Sequence, residues 1–233
     1  MLLQKITYLS RKIAAGASGI RRTKVTQYRP GLDELDVDRT LEEQLGHPVL
    51  NYEHIYCTER VKQKSAYVLL LDVSNSMHRE KIAIATIATG VFASKLRNEF
   101  HGVVAFSRNS HVIKRITEPN NLELLADRML GIKSGGATNI RDALIQGLTL
   151  LDESKTMMKT GIIVTDGWAT VGGDPVEISR RYDRLHVLGI SFGLGGSDPQ
   201  TNLLMAQHGK GRYMYVRHFD DLPLAITKIL TSR

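Results

Sequence analysis

The stretch that decides the fold is Ala66-Tyr67-Val68-Leu69-Leu70-Leu71-Asp72-Val73-Ser74-Asn75-Ser76-Met77. Six uncharged, mostly apolar residues stop at an aspartate, and small hydroxyl-bearing side chains follow at alternate positions. A near-continuous apolar run of this length reads as a strand of a parallel sheet covered on both faces. Beyond the polar loop, Ile84, Ile87, Ala88, Val91 and Phe92 repeat at the spacing of one apolar helical stripe. Strand, polar loop and helix in that order open an α/β sheet, in which ligands bind outside the carboxyl ends of the strands.

Working outward, Val103 to Phe106, Ile162 to Thr165 and Leu185 to Phe192 are further buried-strand runs. His111 to Ile116 follows Phe106 after a tight Ser-Arg-Asn-Ser link and predicts an antiparallel hairpin edge. Ile140, Ala143, Leu144, Gly147, Leu148 and Leu151 mark a second helix. A strand at Arg212 to Val216 precedes a C-terminal helix from Asp220, carrying Leu222, Ala225, Ile226, Ile229 and Leu230. The expected fold over residues 65–233 is α/β and doubly wound, with a mainly parallel central sheet and one antiparallel edge strand. No uncharged apolar run approaches the roughly 18 residues needed to span a bilayer.

Of the 233 residues, 31 are Lys or Arg and 24 Asp or Glu, for a net charge of +7. Lys5, Arg11, Lys12, Arg21, Arg22, Lys24 and Arg29 fall in the first 30 residues with no acid among them, so the remainder is balanced at 24 against 24. The excess therefore sits in an N-terminal arm, and a globally basic nucleic-acid surface is not supported. Leu2, Ile6, Leu9 and Ile13 recur at helical spacing. An amphipathic helix docking on a partner, on the domain or on an anionic membrane fits, and so does a solvated tail. After Pro30-Gly31 comes an acidic lead-in, LDELDVDRTLEEQL, expected as a short helical or extended segment wrapping the main domain. Residues 1–64 are thus read as arm plus lead-in. The single cysteine, Cys57, makes no internal disulfide, which points to a reducing compartment, the cytoplasm.

Three loops can converge at the carboxyl ends of the strands: Asp72 to Met77, Gly135-Gly136-Ala137-Thr138-Asn139, and Thr165-Asp166-Gly167. Together they offer hydroxyl and carboxylate oxygens and no histidine or cysteine, a donor set for Mg²⁺, with Mn²⁺ and Ca²⁺ as alternatives, rather than zinc. Taken singly, Ser74, Ser76 or Thr138 reads equally well as a helix cap, Thr138 for a helix starting at Asn139. Jointly with two aspartates, the set points to a metal.

Asp72-x-Ser74-x-Ser76 with Thr138 and Asp166-Gly167 resembles the metal-ion-dependent adhesion site of von Willebrand factor A domains, over about residues 65 to 230. The resemblance implies that Ser74, Ser76 and Thr138 coordinate the ion directly. Asp72 and Asp166 bind it directly or through water, and a partner's acidic side chain completes the shell. Asn75, Asn139 and Trp168 are candidates for the partner-contacting rim, although packing is an equal reading for Trp168.

The run Tyr28-Arg29-Pro30-Gly31 with Glu34 to Glu42 is similar to intracellular prokaryotic A-domain proteins that work with AAA+ ATPases of the MoxR type. The A-domain half of the magnesium-chelatase D subunit has a comparable Asp-x-x-x-Thr-Leu lead-in. The partner expected is therefore an AAA+ ATPase or its client, with an accessory role in a chelatase-type metal-insertion ATPase as the alternative.

Catalysis within the chain is not expected. A dehalogenase-type phosphotransferase needs a carboxylate where Ser74 stands. No Gly-x-Ser-x-Gly elbow, Walker A or Gly-x-Gly-x-x-Gly occurs. Ser197-Asp198-Pro199, after the glycines around Gly195, reads as turn and N-cap. A specific nucleic-acid partner is not expected, because the basic arm lacks interleaved aromatics.

Overall fold

A computed structural model describes residues 8, 21–28, 34–45, 52–62, 65–74, 79–133, 135–156, 158–190 and 197–231. The chain divides into two compact units, one of them Gly19–Lys64 and the other containing Ser65–Arg233. The amphipathic stripe expected at Leu2, Ile6, Leu9 and Ile13 lies outside the described residues.

In the first unit, β1 (Arg21–Gln27), β2 (Glu34–Leu35) and β3 (Tyr56–Lys62) form a three-stranded antiparallel sheet with β3 in the middle. Helix α1 (Val37–Gln44) follows β2, and the Asp36 side chain caps it by accepting from the Arg39 N–H at 3.2 Å. The basic stretch around Arg21, Arg22 and Lys24 is thus strand, and the lead-in is helical after a two-residue strand. Thr23, Val25 and Thr26 give β1 its β-branched character. The signal is weak because β1 is completed by a strand some thirty residues away.

In the second unit, β4 (Ala66–Asp72) leads into α2 (Arg79–Lys95), then β5 (Phe100–Phe106), β6 (Ser110–Lys114), α3 (Leu122–Leu130) and α4 (Ile140–Asp152). The chain continues through β7 (Lys159–Thr165), α5 (Pro175–Ser179), β8 (Arg184–Ile190), α6 (Pro199–His208), β9 (Lys210–Val216) and α7 (Leu222–Thr231). The strand order is β6-β5-β4-β7-β8-β9, with every pair parallel except β5–β6. The fold is the α/β arrangement with an antiparallel edge that the sequence predicts. Three helices the periodicity reading passed over, α3, α5 and α6, carry side-chain caps from Asn121, Asp174 and Asp198. Strand β8 ends at Ile190, and Ser191 and Phe192 lie outside the described residues. Among the described residues no helix is long and apolar enough to cross a membrane.

Alternation along the strands splits the core. Leu69, Leu71, Val103, Ile162 and Val164 face α2, α3 and α7 through Phe92, Met129 and Ile226. Val68, Leu70, Val104 and Ile163 face α4, α5 and α6 through Leu144, Ile178 and Met205. Each such side chain contributes about 1.5–3 kcal/mol on full burial, so the two faces together dominate the stability of the unit. The winding changes direction between neighbours β4 and β7: α2 leaves β4 on one face, and α5 leaves β7 on the other. That reversal opens a crevice outside the carboxyl ends of β4 and β7.

Helix α4 approaches the sheet at Gly147. A Cβ there would lie 2.4 Å from the Tyr182 hydroxyl and 3.1 Å from Leu70 Cδ2. Tyr182 is fully buried and donates to the Leu144 carbonyl at 2.7 Å. Gly147→Ala is therefore expected to lower the unfolding free energy by about 1–3 kcal/mol in denaturant titration, despite alanine's better helix propensity. The double variant Gly147→Ala/Tyr182→Phe recovers part of that loss, because it removes the nearest clashing atom. Full additivity of the two single losses would mean that the hydroxyl is not what limits the approach.

Candidate metal centre

Asp72 is the last residue of β4 and only 1% exposed. Sheet hydrogen bonding continues one residue past it, the Val73 N–H donating to the Phe106 carbonyl at 2.8 Å, which fixes the carboxylate at the mouth of the crevice. One carboxylate oxygen accepts from the Ser74 N–H at 3.0 Å and the other from the Thr165 hydroxyl at 2.9 Å. Thr165 ends β7, so this bond joins the tips of the two strands that flank the crevice. The same Thr165 hydroxyl accepts from the Gly167 N–H at 3.1 Å.

The Asp166-Gly167 turn is clasped from two sides. The Asp166 carboxylate accepts from the Trp168 N–H at 2.9 Å, and the Asp166 carbonyl accepts from the Asp198 N–H at 2.8 Å. Gly167 has φ 86°, and a Cβ there would stand 2.3 Å from the Asp198 carbonyl oxygen. A side chain at this position is therefore excluded by both conformation and space. Asn202, buried one turn into α6, donates to the Thr165 carbonyl at 3.4 Å.

The Gly135–Asn139 loop is tied to both neighbours. The Gly135 N–H donates to the Val73 carbonyl at 3.1 Å and the Asn139 N–H to the Ser107 carbonyl at 2.8 Å. Three hydrogen bonds join Thr138 and Thr170: Thr138 N–H to the Thr170 hydroxyl at 2.8 Å, and Thr170 N–H at 3.0 Å and hydroxyl at 3.4 Å to the Thr138 carbonyl. All three loops thus meet. Helix α4 begins at Ile140 and Asn139 caps it, its side chain accepting from the Asp142 N–H at 3.0 Å. The cap reading of Thr138 therefore fails. Its hydroxyl takes no hydrogen bond among the described residues, although the residue is buried.

Asn139 is half-buried and committed to its cap. Trp168 is 51% exposed beside the Asp166 turn. Asn75 and Ser76 lie outside the described residues. Sequence reasoning did not assign Thr165, Thr170 and Asn202 to the site and read Asp198 as an N-cap, which it is; Thr165, Asp198 and Asn202 hold the two aspartate loops, and Thr170 ties in the Thr138 loop. Thr165 had a local signal, its place beside Asp166 at a strand end; Asn202 had none.

Burial pushes the Asp72 carboxyl up to about 6, and the neighbouring Asp166 charge adds to the rise; hydrogen bonds from Ser74 and Thr165 oppose it. Asp166 is raised too, mainly by burial, against the hydrogen bond from Trp168. Neither carboxylate forms an ion pair with a Lys or Arg among the described residues. Two like charges, one buried and one half-buried, with no Lys or Arg counter-charge among the described residues are an arrangement that a cation relieves. Among the described residues no group of three or more His, Cys, Asp or Glu could hold a metal; the oxygens that the three loops offer are two carboxylates and the hydroxyls of Ser74 and Thr138. That chemistry fits a hard divalent ion.

Residues 67–168 match the family model of the von Willebrand factor type A domain. Inter-alpha-trypsin inhibitor heavy chain H3 of Bos taurus is 28% identical over 169 residues, which cover 64% of this chain. The match spans only 19% of the length of that protein. Among solved structures, a von Willebrand factor type A protein from Catenulispora acidiphila aligns with TM-score 0.60 at 14% identity, over 94% of this chain and 50% of its own. An aerotolerance-related membrane protein from Bacteroides fragilis aligns with TM-score 0.57 at 16% identity, over 71% of this chain and 98% of its own. Proximal thread matrix protein 1 from the mussel byssus, in a form with a zinc-occupied MIDAS motif, aligns with TM-score 0.61 at 15% identity, over 72% and 47%. The family match and the shared architecture together support a von Willebrand factor A domain in this part of the chain.

Proposed function

We propose that this chain is a divalent-cation-dependent protein-interaction module. The observation that carries the reading is the pair of neighbouring carboxylates, buried Asp72 and half-buried Asp166, with no Lys or Arg ion pair among the described residues, at the end of the sheet where Ser74 and Thr138 are also buried. Ser74, Ser76 and Thr138 would hold the ion, with Asp72 and Asp166 supplying the offsetting charge. Mg²⁺ is the ion favoured, with Mn²⁺ and Ca²⁺ as alternatives; neutral hydroxyl ligands leave it electrophilic toward an acidic side chain of a partner protein. Exposed Trp168 offers that partner an aromatic anchor at the rim.

The partner we favour is an AAA+ ATPase or the client it remodels, acting in the cytoplasm. The likeness of residues 28–42 to A-domain proteins that serve MoxR-type ATPases supports it, and the free, buried Cys57 is compatible with a reducing compartment. In this reading the chain does no bond chemistry of its own. The second reading, an accessory subunit of a chelatase-type ATPase, draws on the Asp36-x-x-x-Thr40-Leu41 lead-in and uses the same site.

Calorimetric titration tests the ion. Asp72→Ala is expected to abolish Mg²⁺ and Mn²⁺ binding, whereas Thr138→Ala weakens it by about tenfold, because water can replace one neutral ligand. Undiminished binding by Asp72→Ala would place the ion elsewhere.

The pH dependence has a definite sign. The folded-state pKa of Asp72 lies above its unfolded value, so in EDTA this group's stabilisation is complete near pH 4 and is lost as pH rises through about 6. Asp72→Asn is therefore expected to melt higher than wild type in EDTA at pH 7.5, by an amount equivalent to about 2–3 kcal/mol, with the gap closing toward pH 4. Mg²⁺ reverses the order at pH 7.5 by stabilising only the wild type.

A complex with the ATPase, isolated from the native host in Mg²⁺, should be lost in EDTA and equally in Ser74→Ala/Ser76→Ala. Without the cation, an incoming carboxylate meets only like charge. A complex that survives EDTA unchanged would overturn the mechanism.

A further inference from the structure

Helix α1 turns outward the side chains that a helix ordinarily buries. None of its residues is buried. Val37 is 53% exposed, Leu41 58% and Leu45 88%, with Leu35 on β2 at 53%. Positions i, i+4 and i+8 stack on one helix face, so Val37, Leu41 and Leu45 form a single aliphatic stripe.

The helix is held to β3 by other groups. The Thr40 hydroxyl donates to the Asp36 carbonyl at 2.6 Å and accepts from the Tyr56 N–H at 3.0 Å. The Asp36 N–H donates to the Tyr56 carbonyl at 2.8 Å, and the Arg39 guanidinium stands 5.2 Å from the Tyr56 ring centre. Backbone and polar contacts therefore place the helix, and its apolar stripe is left over. Asp38 and Glu42, both exposed, each follow a stripe residue by one position and so border the stripe along its length. The only base on the helix, Arg39, is engaged with Tyr56.

The geometry points to a docking surface for a basic amphipathic helix of a partner protein, whose apolar face covers Val37, Leu41 and Leu45 and whose Lys or Arg side chains meet Asp38 and Glu42. Charge selects this occupant. Nucleic acid or an anionic membrane would meet like charge along the acidic border, and a second copy of the stripe would bring Asp38 and Glu42 against their own equivalents. The surface goes beyond the cation-dependent reading and shares no residue with the cation site.

The test uses the full chain in EDTA and two synthetic helical peptides of about 15 residues, one with a leucine stripe on a lysine background and one with glutamate replacing every lysine. Fluorescence anisotropy is expected to show saturable binding of the lysine peptide only. Leu41→Ala/Leu45→Ala, at exposed positions where alanine favours the helix, weakens it about tenfold or more. Asp38→Asn/Glu42→Gln weakens it about threefold or more and flattens its salt dependence. Equal binding of the two peptides, or binding unchanged by both variants, overturns the proposal. Dimerisation in sedimentation velocity that Leu41→Ala/Leu45→Ala abolishes gives the stripe to a second copy and also overturns it. So does binding that emerges only after deletion of residues 1–18, which would give the stripe to the chain's own basic segment. Intact peptide binding by Asp72→Ala supports the surface as independent of the cation site, whatever becomes of the latter.

Discussion

The hydrogen bond from the Thr165 hydroxyl to the Asp72 carboxylate is the contact on which the rest of the site depends. Asp72 is a charge at the end of an apolar strand, in a place with almost no water, and burying such a charge is costly unless it is paired or hydrogen-bonded. Hydrogen bonds from Ser74 and Thr165 supply part of what water would have given. They do not neutralise it. The remaining deficit is visible in the raised pKa, and it makes this end of the sheet a place for a cation rather than for more apolar packing.

That deficit is a consequence of topology as much as of residue choice. Because the chain leaves β4 and β7 toward opposite faces, no helix closes over the gap between their tips, and the loops that follow can converge there. Each loop is then fixed by its neighbours: Gly135 by Val73, Thr138 by Thr170, Asp166 by Asp198. Gly167 lets the Asp198 carbonyl approach closer than any side chain would permit. Oxygen donors held on rigid strand ends need little reorganisation when a ligand arrives, which is what a selective cation site demands.

Much of this was legible in the sequence because the signals are local. The run Ala66 to Leu71 marks a doubly covered strand, Asp72, Ser74 and Ser76 sit within five positions, and the stripe from Ile140 to Leu151 marks its helix without reference to anything distant. What could not be read depends on long-range partners. The Thr165–Asp72 bond joins residues 93 positions apart, and Asn202 reaches Thr165 across 37. The sheet of Gly19–Lys64 was hidden for the same reason, since β1 finds β3 only after the intervening helix. Its basic residues drew attention as charge, whereas the backbone pairing that defines the unit carries no charge signature. At Thr138 the local signal was ambiguous between cap and ligand, and the structure removes the first reading: the neighbouring Asn139 takes the cap and leaves the Thr138 hydroxyl outside it.

The near-neutral balance outside the N-terminal arm conceals two local concentrations of negative charge with different consequences. At the crevice, Asp72 is buried and Asp166 half-buried, so their charge acts at short range in a medium of low effective dielectric, which suits a small, hard, strongly charged ion. On α1, Asp38 and Glu42 stand in water beside aliphatic groups, where each charge is screened within about 8 Å at physiological ionic strength. Such charges contribute little binding energy by themselves, but they decide which apolar surfaces can approach. In the proposed reading the first arrangement makes recognition conditional on a cation and favours an acidic partner group. The proposed docking surface would be independent of the cation and favour a basic one, so a partner that satisfied both would have to carry the two signs on separate elements.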